Sequence, residues 1–424
     1  MTSVVGILNK QGVAIAADSA VTRGRIKDGS RQQKVTKNGN KMIRLSEAVP
    51  VAVMITGNAD YLQVPWEVIV RRYRQRRGTV AHATVEEASH DFFDYIQSDP
   101  VFWGDDCGME YVRFLAKNIH DKIVNSDWEA AERNPDGSLC RPATFVKTFC
   151  RSASSLRKKL ERGGICPHFK DYSIDQFRSA IDGDICLRIS DNYPDEVLTK
   201  IRESLEETVW TVLRTRAKGG HYATLVFSGY GKDQEFPSLV SAVVCEGFDR
   251  RVSYHVRPED IVCISDDKPV AICPFAQDDV IRSVLRGIHT DWSGDAGDVF
   301  RRIVNPNFGD VFGSFYDEDD PGGEFRKMLA EVETDDLHHQ FYKEGMRLLD
   351  KNQREWEKLL KDSDLESLAS LADCLIDLTG FQRILTFSPE GVGGPVDVAV
   401  ISKNAGFTWL RRKSWYHKDG PMGV

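Results

Sequence analysis

The hydrophobic pattern opens with two short β-type segments, Ser3–Lys10 (SVVGILNK) and Val13–Ala20 (VAIAADSA), parted by Lys10-Gln11-Gly12. A glycine there supplies the backbone angles a tight hairpin turn needs, so the pattern predicts an antiparallel hairpin starting one residue into the chain. A strand that early ties down a terminus that would otherwise fray. Two further apolar runs follow, Lys41–Leu45 and, past Pro50, Val51–Gly57. Helical spacing then takes over. Trp66, Ile69 and Val70 mark a helix reaching Arg77, with Asp60 as its expected cap and Pro65 near its start. Thr84-Val85-Glu86-Glu87 has the form of a capping box, and Val85, Ala88, Phe92 and Ile96 follow at helical spacing.

From about 98 to 220 the apolar positions recur at i, i+3, i+4 over Met109–Val124, Thr144–Arg162 and Asp195–Ala217, predicting helices. Strand patterns resume from His221, over Tyr222–Gly231 and Phe236–Val244, and Ala271–Gln277 precedes a helix from Asp278 to Ile288. A charged stretch covers about 290–360, with an acidic glycine-rich loop at Asp317–Gly323 and a long helix from Glu324 onward. The last helix, Leu365–Leu378, lines up Leu365, Leu368, Ala372, Leu375 and Ile376 on one face. A glycine-rich turn (Ser388–Gly394), a strand (Val396–Lys403), a turn at Asn404–Gly406 and a strand (Phe407–Arg411) complete the pattern.

Composition narrows the function classes. The chain has 424 residues, 41% hydrophobic and 28% charged, which is ordinary for a globular protein and long enough for a sizeable core. A net charge of −8 and a pI near 5.8 speak against nucleic acid as a partner, and the run Arg71–Arg77 reads as the solvated end of a helix. The nine cysteines include no C-x-x-C pair and fit reduced thiols, hence a cytoplasmic location. Cys166 and His168 have no second pair at zinc spacing, and the acidic loop lacks the ligand spacing of a calcium loop. His338 and His339, adjacent on a helix, point about 100° apart and make poor joint ligands. No metal or cofactor is expected. The longest early apolar run, Val49–Thr56, contains Pro50 and is too short to span a bilayer. No basic start followed by a long apolar stretch marks a secretory signal, so the mature N-terminus is expected at or beside the encoded one.

Thr2 carries the candidate chemistry. A small residue after Met1 favours removal of the methionine, which would free the α-amine of threonine. The hydroxyl of such a residue attacks a carbonyl while its own amine, with an unperturbed pKa of about 8, serves as base. Asp18 ends the second apolar strand, where a charge needs a partner, and Lys41 opens the next β-type run. A lysine beside a carboxylate, next to a threonine hydroxyl, favours the alkoxide and organises its proton transfers.

These residues stand in a recognisable order. Thr2-Ser3-Val4-Val5-Gly6, then Gly12-Val13-Ala14-Ile15-Ala16-Ala17-Asp18 with Thr22, then Asn40-Lys41-Met42-Ile43-Arg44-Leu45 and Thr56-Gly57-Asn58-Ala59-Asp60 resemble the opening of proteasome β-type subunits, which are N-terminal-nucleophile hydrolases. The resemblance covers roughly 2–97, 221–288 and 364–412; residues carry it in the first block, element order in the other two. It implies an α+β fold, a four-layer αββα sandwich with helical insertions. The core would occupy 1–97, 221–289 and 364–424 (tail included), with insertions at 98–220 and 290–363. Thr2 would be the nucleophile, Asp18 and Lys41 its supporting charges, and the Gly57 N–H the oxyanion donor. Thr22 would align substrate by main-chain bonding, while Val21 and Ile55 would line an apolar pocket.

The chain also departs from the family. The interval from Asp18 to Lys41 is long, with a polar insertion Arg23–Asn40 in which Lys34 and Lys37 compete with Lys41; the Lys-Met-Ile start of a strand favours Lys41. Ala271–Gln277 would occupy the place of the family's Gly-Ser-Gly turn, with Pro274 and Phe275 near the position of its helping serine. Val392 and Pro389 replace a second serine and an aspartate, for which Glu390 is a poor substitute. The implied activity is threonine-type cleavage of amide bonds, by a proteasome-like peptidase acting on peptide or protein and assembled as a homo-oligomer. No ATP-driven partner is specified. The alternative is a catalytically silent scaffold of the same fold.

Overall fold

The computed structural model describes residues 2–27, 30–36, 39–104, 107–126, 131–134, 138–181, 183–216, 222–287, 334–385 and 393–413. The two opening segments form the expected hairpin, β1 (Ser3–Asn9) and β2 (Gly12–Ala17), and every residue of both strands is buried. Polar sequence follows in a second hairpin, β3 (Val21–Lys27) and β4 (Ser30–Thr36), which takes up much of the insertion before Asn40. Its lack of apolar alternation hid these strands from the sequence pattern. Next come β5 (Met42–Arg44), β6 (Val51–Gly57) and a minimal ribbon of β7 (Asp60–Tyr61) and β8 (Val64–Pro65).

The helices α1 (Trp66–Arg77), α2 (Val85–Ser98), α3 (Cys107–Ser126), α4 (Pro142–Glu161), α5 (Ile174–Ala180) and α6 (Asp195–Arg214) follow. Strands return as β9 (Tyr222–Gly229), β10 (Ser238–Phe248), β11 (Arg251–His255), β12 (Ile261–Cys263) and β13 (Val270–Ala276). The described chain closes with α7 (Asp279–Arg286), α8 (Thr334–Leu360), α9 (Leu365–Leu385), β14 (Asp397–Ser402) and β15 (Gly406–Arg411). The protein is α+β, with antiparallel sheets.

Five strands make one sheet in the order β13-β1-β2-β14-β15, and β11-β10-β9-β6-β5 make another, where β12 also pairs with β10. The period of two along a strand decides what each face touches. Val5, Ile7, Ala14 and Ala16 cluster with Leu368, Ala372, Leu375 and Ile376 of α9 and Ile281 of α7. Their neighbours Val4, Leu8, Val13 and Ile15 point the other way and meet Met42, Met54, Val226 and Leu239 of the second sheet. Across that sheet, Val53, Ile55, Leu225 and Phe227 pack with Ile69 and Val70 of α1 and Phe92, Phe93 and Ile96 of α2. A further cluster joins α3 to α6 through Val112, Leu115, Phe149, Phe177, Ile201 and Leu205, and reaches Phe248 at the end of β10.

Several sequence expectations need correction. Asp60 lies in β7 and does not cap α1, because the chain makes its ribbon before the helix and Pro65 takes the N-cap position. Thr84 accepts from the Glu87 N–H at 3.1 Å, but the Glu87 carboxylate turns to Ala83 N–H, so the capping box is half made. Residues 271–276 are strand, not turn: Pro274 and Phe275 pair with Val5 and Val4 on β13, an edge strand where proline's missing N–H is tolerated. Residues 317–323, 386–392 and Lys37 lie outside the described residues. The arginines of α1 do form a solvated face, with Arg72 on Asp99 at 2.8 Å, Arg77 on Asp91 and Arg74 near Glu47.

Glu246 of β10 is half-buried with Asp60 nearby; burial first, and then that like charge, push its carboxyl up from 4.5 to about 7. Folded Glu246 therefore keeps its proton in a range where the unfolded chain has lost it. The associated stability is present below pH 4.5 and drains away as pH rises to about 7. Glu246→Gln should match the wild type at pH 4 and exceed it at pH 8 by roughly 2–3 kcal/mol in urea unfolding.

Candidate active site

Asp18 follows β2 and is 1% exposed. A carboxylate this deep must be satisfied on both oxygens, and it is. Its Oδ1 accepts from the Ser3 N–H at 2.8 Å and from Lys41 Nζ at 2.7 Å. Its Oδ2 accepts from the Ala20 N–H at 3.2 Å and the Gly393 N–H at 3.1 Å. Asp18 also returns its own N–H to the Ser3 carbonyl at 3.2 Å. The carboxylate thus gathers the start of β1, the end of β2, the lysine before β5 and the glycine turn before β14.

Thr2 is 6% exposed and directly precedes the residue Asp18 holds. Its carbonyl accepts from the Gln277 N–H at 3.1 Å, just past β13. The peptide group that follows Thr2 is therefore held through both its carbonyl and its N–H, at the open end of a buried hairpin.

Lys41 is 5% exposed and pairs with Asp18 alone among the described carboxylates. Burial is the largest influence on it and drives its proton affinity below that of a free lysine; the charge and hydrogen bond of Asp18 oppose this, and the charge of Lys413 adds to it. Burial outweighs the attraction because an ammonium loses more in leaving water than one carboxylate returns. Of the competing lysines, Lys34 sits in β4 opposite Arg23. Lys41 is the one the fold brings to Asp18.

The remaining predicted residues are placed less tightly. The Ile55 N–H donates to the Lys41 carbonyl at 2.8 Å, which links β6 to the lysine, and the Ile55 side chain packs in the core beneath α1 and α2. Gly57 ends β6, exposed and at φ 82°; a Cβ there would meet the Tyr222 carbonyl at 2.6 Å, so only glycine fits. Val21 and Thr22 open β3, in register with Thr36 and Val35. Gly393 takes φ 134° and brings its N–H to Asp18.

Sequence reasoning missed Ser19, Asp397 and Lys413, which lie against the same segments. Asp397, a charge at the first position of an otherwise apolar strand, was the available signal. Among the described residues no group of histidine, cysteine and carboxylate side chains is arranged to hold a metal, and no helix is long and apolar enough to cross a membrane. Cys166 is buried, with its thiol toward the Thr215 carbonyl, whereas His168 pairs with Asp94 at 2.8 Å; the two do not converge.

No family model matches the sequence, and no curated protein matches it. Similar solved structures include the Gly-1 mutant of Anbu from Hyphomicrobium sp. strain MC1, at 11% identity over 99% of this chain and 89% of that one, with a TM-score of 0.27. Another is Anbu, an ancestral beta-subunit, from Yersinia bercovieri, at 9% identity over 96% and 86% of the two chains, with a TM-score of 0.25. Likenesses this loose carry no argument, and the site rests on its own geometry.

Proposed function

We propose that this chain is a threonine-type N-terminal-nucleophile hydrolase with a four-layer αββα core, cleaving amide bonds in peptides or proteins. The observation that carries it is the shared Asp18 oxygen, which holds both the Ser3 N–H beside Thr2 and the Lys41 ammonium in a buried setting. The sequence of packed faces supports the layering: α7 and α9, then the two sheets, then α1 and α2.

With Met1 removed, the Thr2 Oγ attacks the carbonyl carbon while its proton passes to the Thr2 amine or the Lys41 amine. The C–N bond breaks, the amine leaves with that proton, and water then hydrolyses the threonine ester. The Gly57 N–H stabilises the oxyanion, Thr22 aligns the substrate main chain, and Val21 with Ile55 shapes the pocket before the scissile bond. Assembly as a homo-oligomer in the cytoplasm belongs to the same proposal.

Intact-mass measurement of purified protein, before and after a hydroxyl-acylating β-lactone, tests it. The expected result is loss of Met1 and one adduct per chain in the wild type, with none in Thr2→Ala at an unchanged melting temperature. Retained Met1, or equal labelling of the two proteins, sinks the free-threonine mechanism and leaves the silent scaffold as the better account.

A further inference from the structure

A second buried ion pair lies beside the first. Lys413, just past β15, places Nζ 2.7 Å from Asp397 Oδ2, with the two side chains 4% and 6% exposed. The Lys413 N–H also donates to Asp397 Oδ1 at 2.7 Å. Asp397 opens β14 in register with Ala17, the residue before Asp18. A pair buried this deeply is a weak source of stability, since apolar residues of similar shape often serve as well. Its contacts show what else it does.

The Lys413 ammonium has three protons and three acceptors. Besides Asp397 it donates to Ser19 Oγ at 3.1 Å and to the Gly39 carbonyl. Ser19 in turn donates its hydroxyl to the Pro395 carbonyl at 2.6 Å, and the Gly39 N–H donates to the Ser19 carbonyl at 2.9 Å. Ser19 follows Asp18, and Gly39 precedes Lys41 by two residues. One ammonium therefore ties the segment carrying the carboxylate to the segment carrying the lysine. Its charge also acts on Lys41: after burial, and against the pull of Asp18, Lys413 disfavours a second ammonium nearby. Among the described residues, the charged groups gathered around Lys41 are Asp18 and Lys413, with Asp397 behind the latter; from β6 it meets the Ile55 main chain.

We propose that Lys413, compensated by Asp397, is a positioning residue for the Asp18–Lys41 couple, fixing the two segments that carry it and keeping the Lys41 amine available to accept the Thr2 proton. This rests on Thr2 being the nucleophile.

The test follows β-lactone acylation of Thr2 by mass across pH. In that step the Oγ–acyl bond forms, the ring C–O bond breaks, and the hydroxyl proton passes through Lys41 to the ring oxygen. Lys413→Met should slow labelling about tenfold at pH 7 and move the acid limb of the profile up by about one pH unit. Lys413→Arg, which keeps the charge, should leave that limb in place. The double variant Lys413→Met/Asp397→Leu removes both buried charges and serves if the single variant does not fold; it too should label slowly, because Ser19 and Gly39 lose their common donor. Wild-type rates and an unmoved limb in the folded variants would overturn the proposal. If wild-type Thr2 takes no label, the nucleophile assignment fails separately. A ¹³C NMR titration of the Lys41 side chain then decides: an upward shift in Lys413→Met supports the coupling, and identical titrations overturn it.

Discussion

An Asp18→Ala variant should be about 3–5 kcal/mol less stable than the wild type in urea denaturation. The size of the effect comes from what is left behind. Four donors converge on the carboxylate, and one of them is a lysine 5% exposed, so truncation strands a buried cation together with the Ser3, Ala20 and Gly393 N–H groups. Asp18→Asn should fall between the two. Whichever way the amide lies, its NH₂ faces one set of donors and leaves them unsatisfied, while its oxygen accepts only from the other set. A double variant, Asp18→Leu/Lys41→Met, should lose less than the sum of its single changes, because the second substitution removes the stranded charge. Equal urea midpoints for wild type and Asp18→Ala would show that the carboxylate does not hold these segments together.

Lys41→Met should fold yet lose acylation of Thr2 by about 10²–10⁴-fold, the range typical of a missing proton acceptor. Methionine keeps much of the chain length and is comfortable in the burial that penalises the ammonium. The pH dependence should separate this from a packing effect. Burial lowers the proton affinity of Lys41 from the free-lysine value of 10.5, so the wild-type rate should climb with pH through a limb below that value. In Lys41→Met the limb should vanish rather than move. Stability should carry a matching sign. Between the lowered folded value and 10.5 the unfolded chain binds the proton that the folded chain has released, so Lys41's contribution rises with pH there. Lys41→Met should remove that rise, read as a flatter dependence of the urea midpoint on pH. A wild-type acylation rate and limb in Lys41→Met would assign the proton transfer elsewhere, the Thr2 amine being the next acceptor.

The opening hairpin, the runs that become β6, β9 and β10, and the helices α1 to α4, α6 and α9 are legible in the order of residues alone. Each announces itself through a local period, two for strands and three to four for helices, that survives without knowledge of its partners. The sequence also pointed to Asp18 and Lys41, charges at the ends of apolar strands that stand out against their surroundings, and through their company to Thr2. Boundaries were less legible where local pattern conflicts with pairing. Pro274 and Phe275 look like a turn, yet they are strand because Val4 and Val5 offer an edge to pair with. The polar hairpin of β3 and β4 offers no apolar alternation at all.

That Lys41 meets Asp18, and that Gly393, distant in sequence, completes its shell, follows from how the sheets and their connections pack. Only the tertiary structure revealed Lys413 and Asp397 behind the site. Hydrogen bonds and desolvation depend on where side chains end up after the sheets stack, and a charge far along the chain carries no sign of that in its own neighbourhood. Local periodicity fixes elements; the burial of charge, set by how those elements pack, selects the groups that can do chemistry.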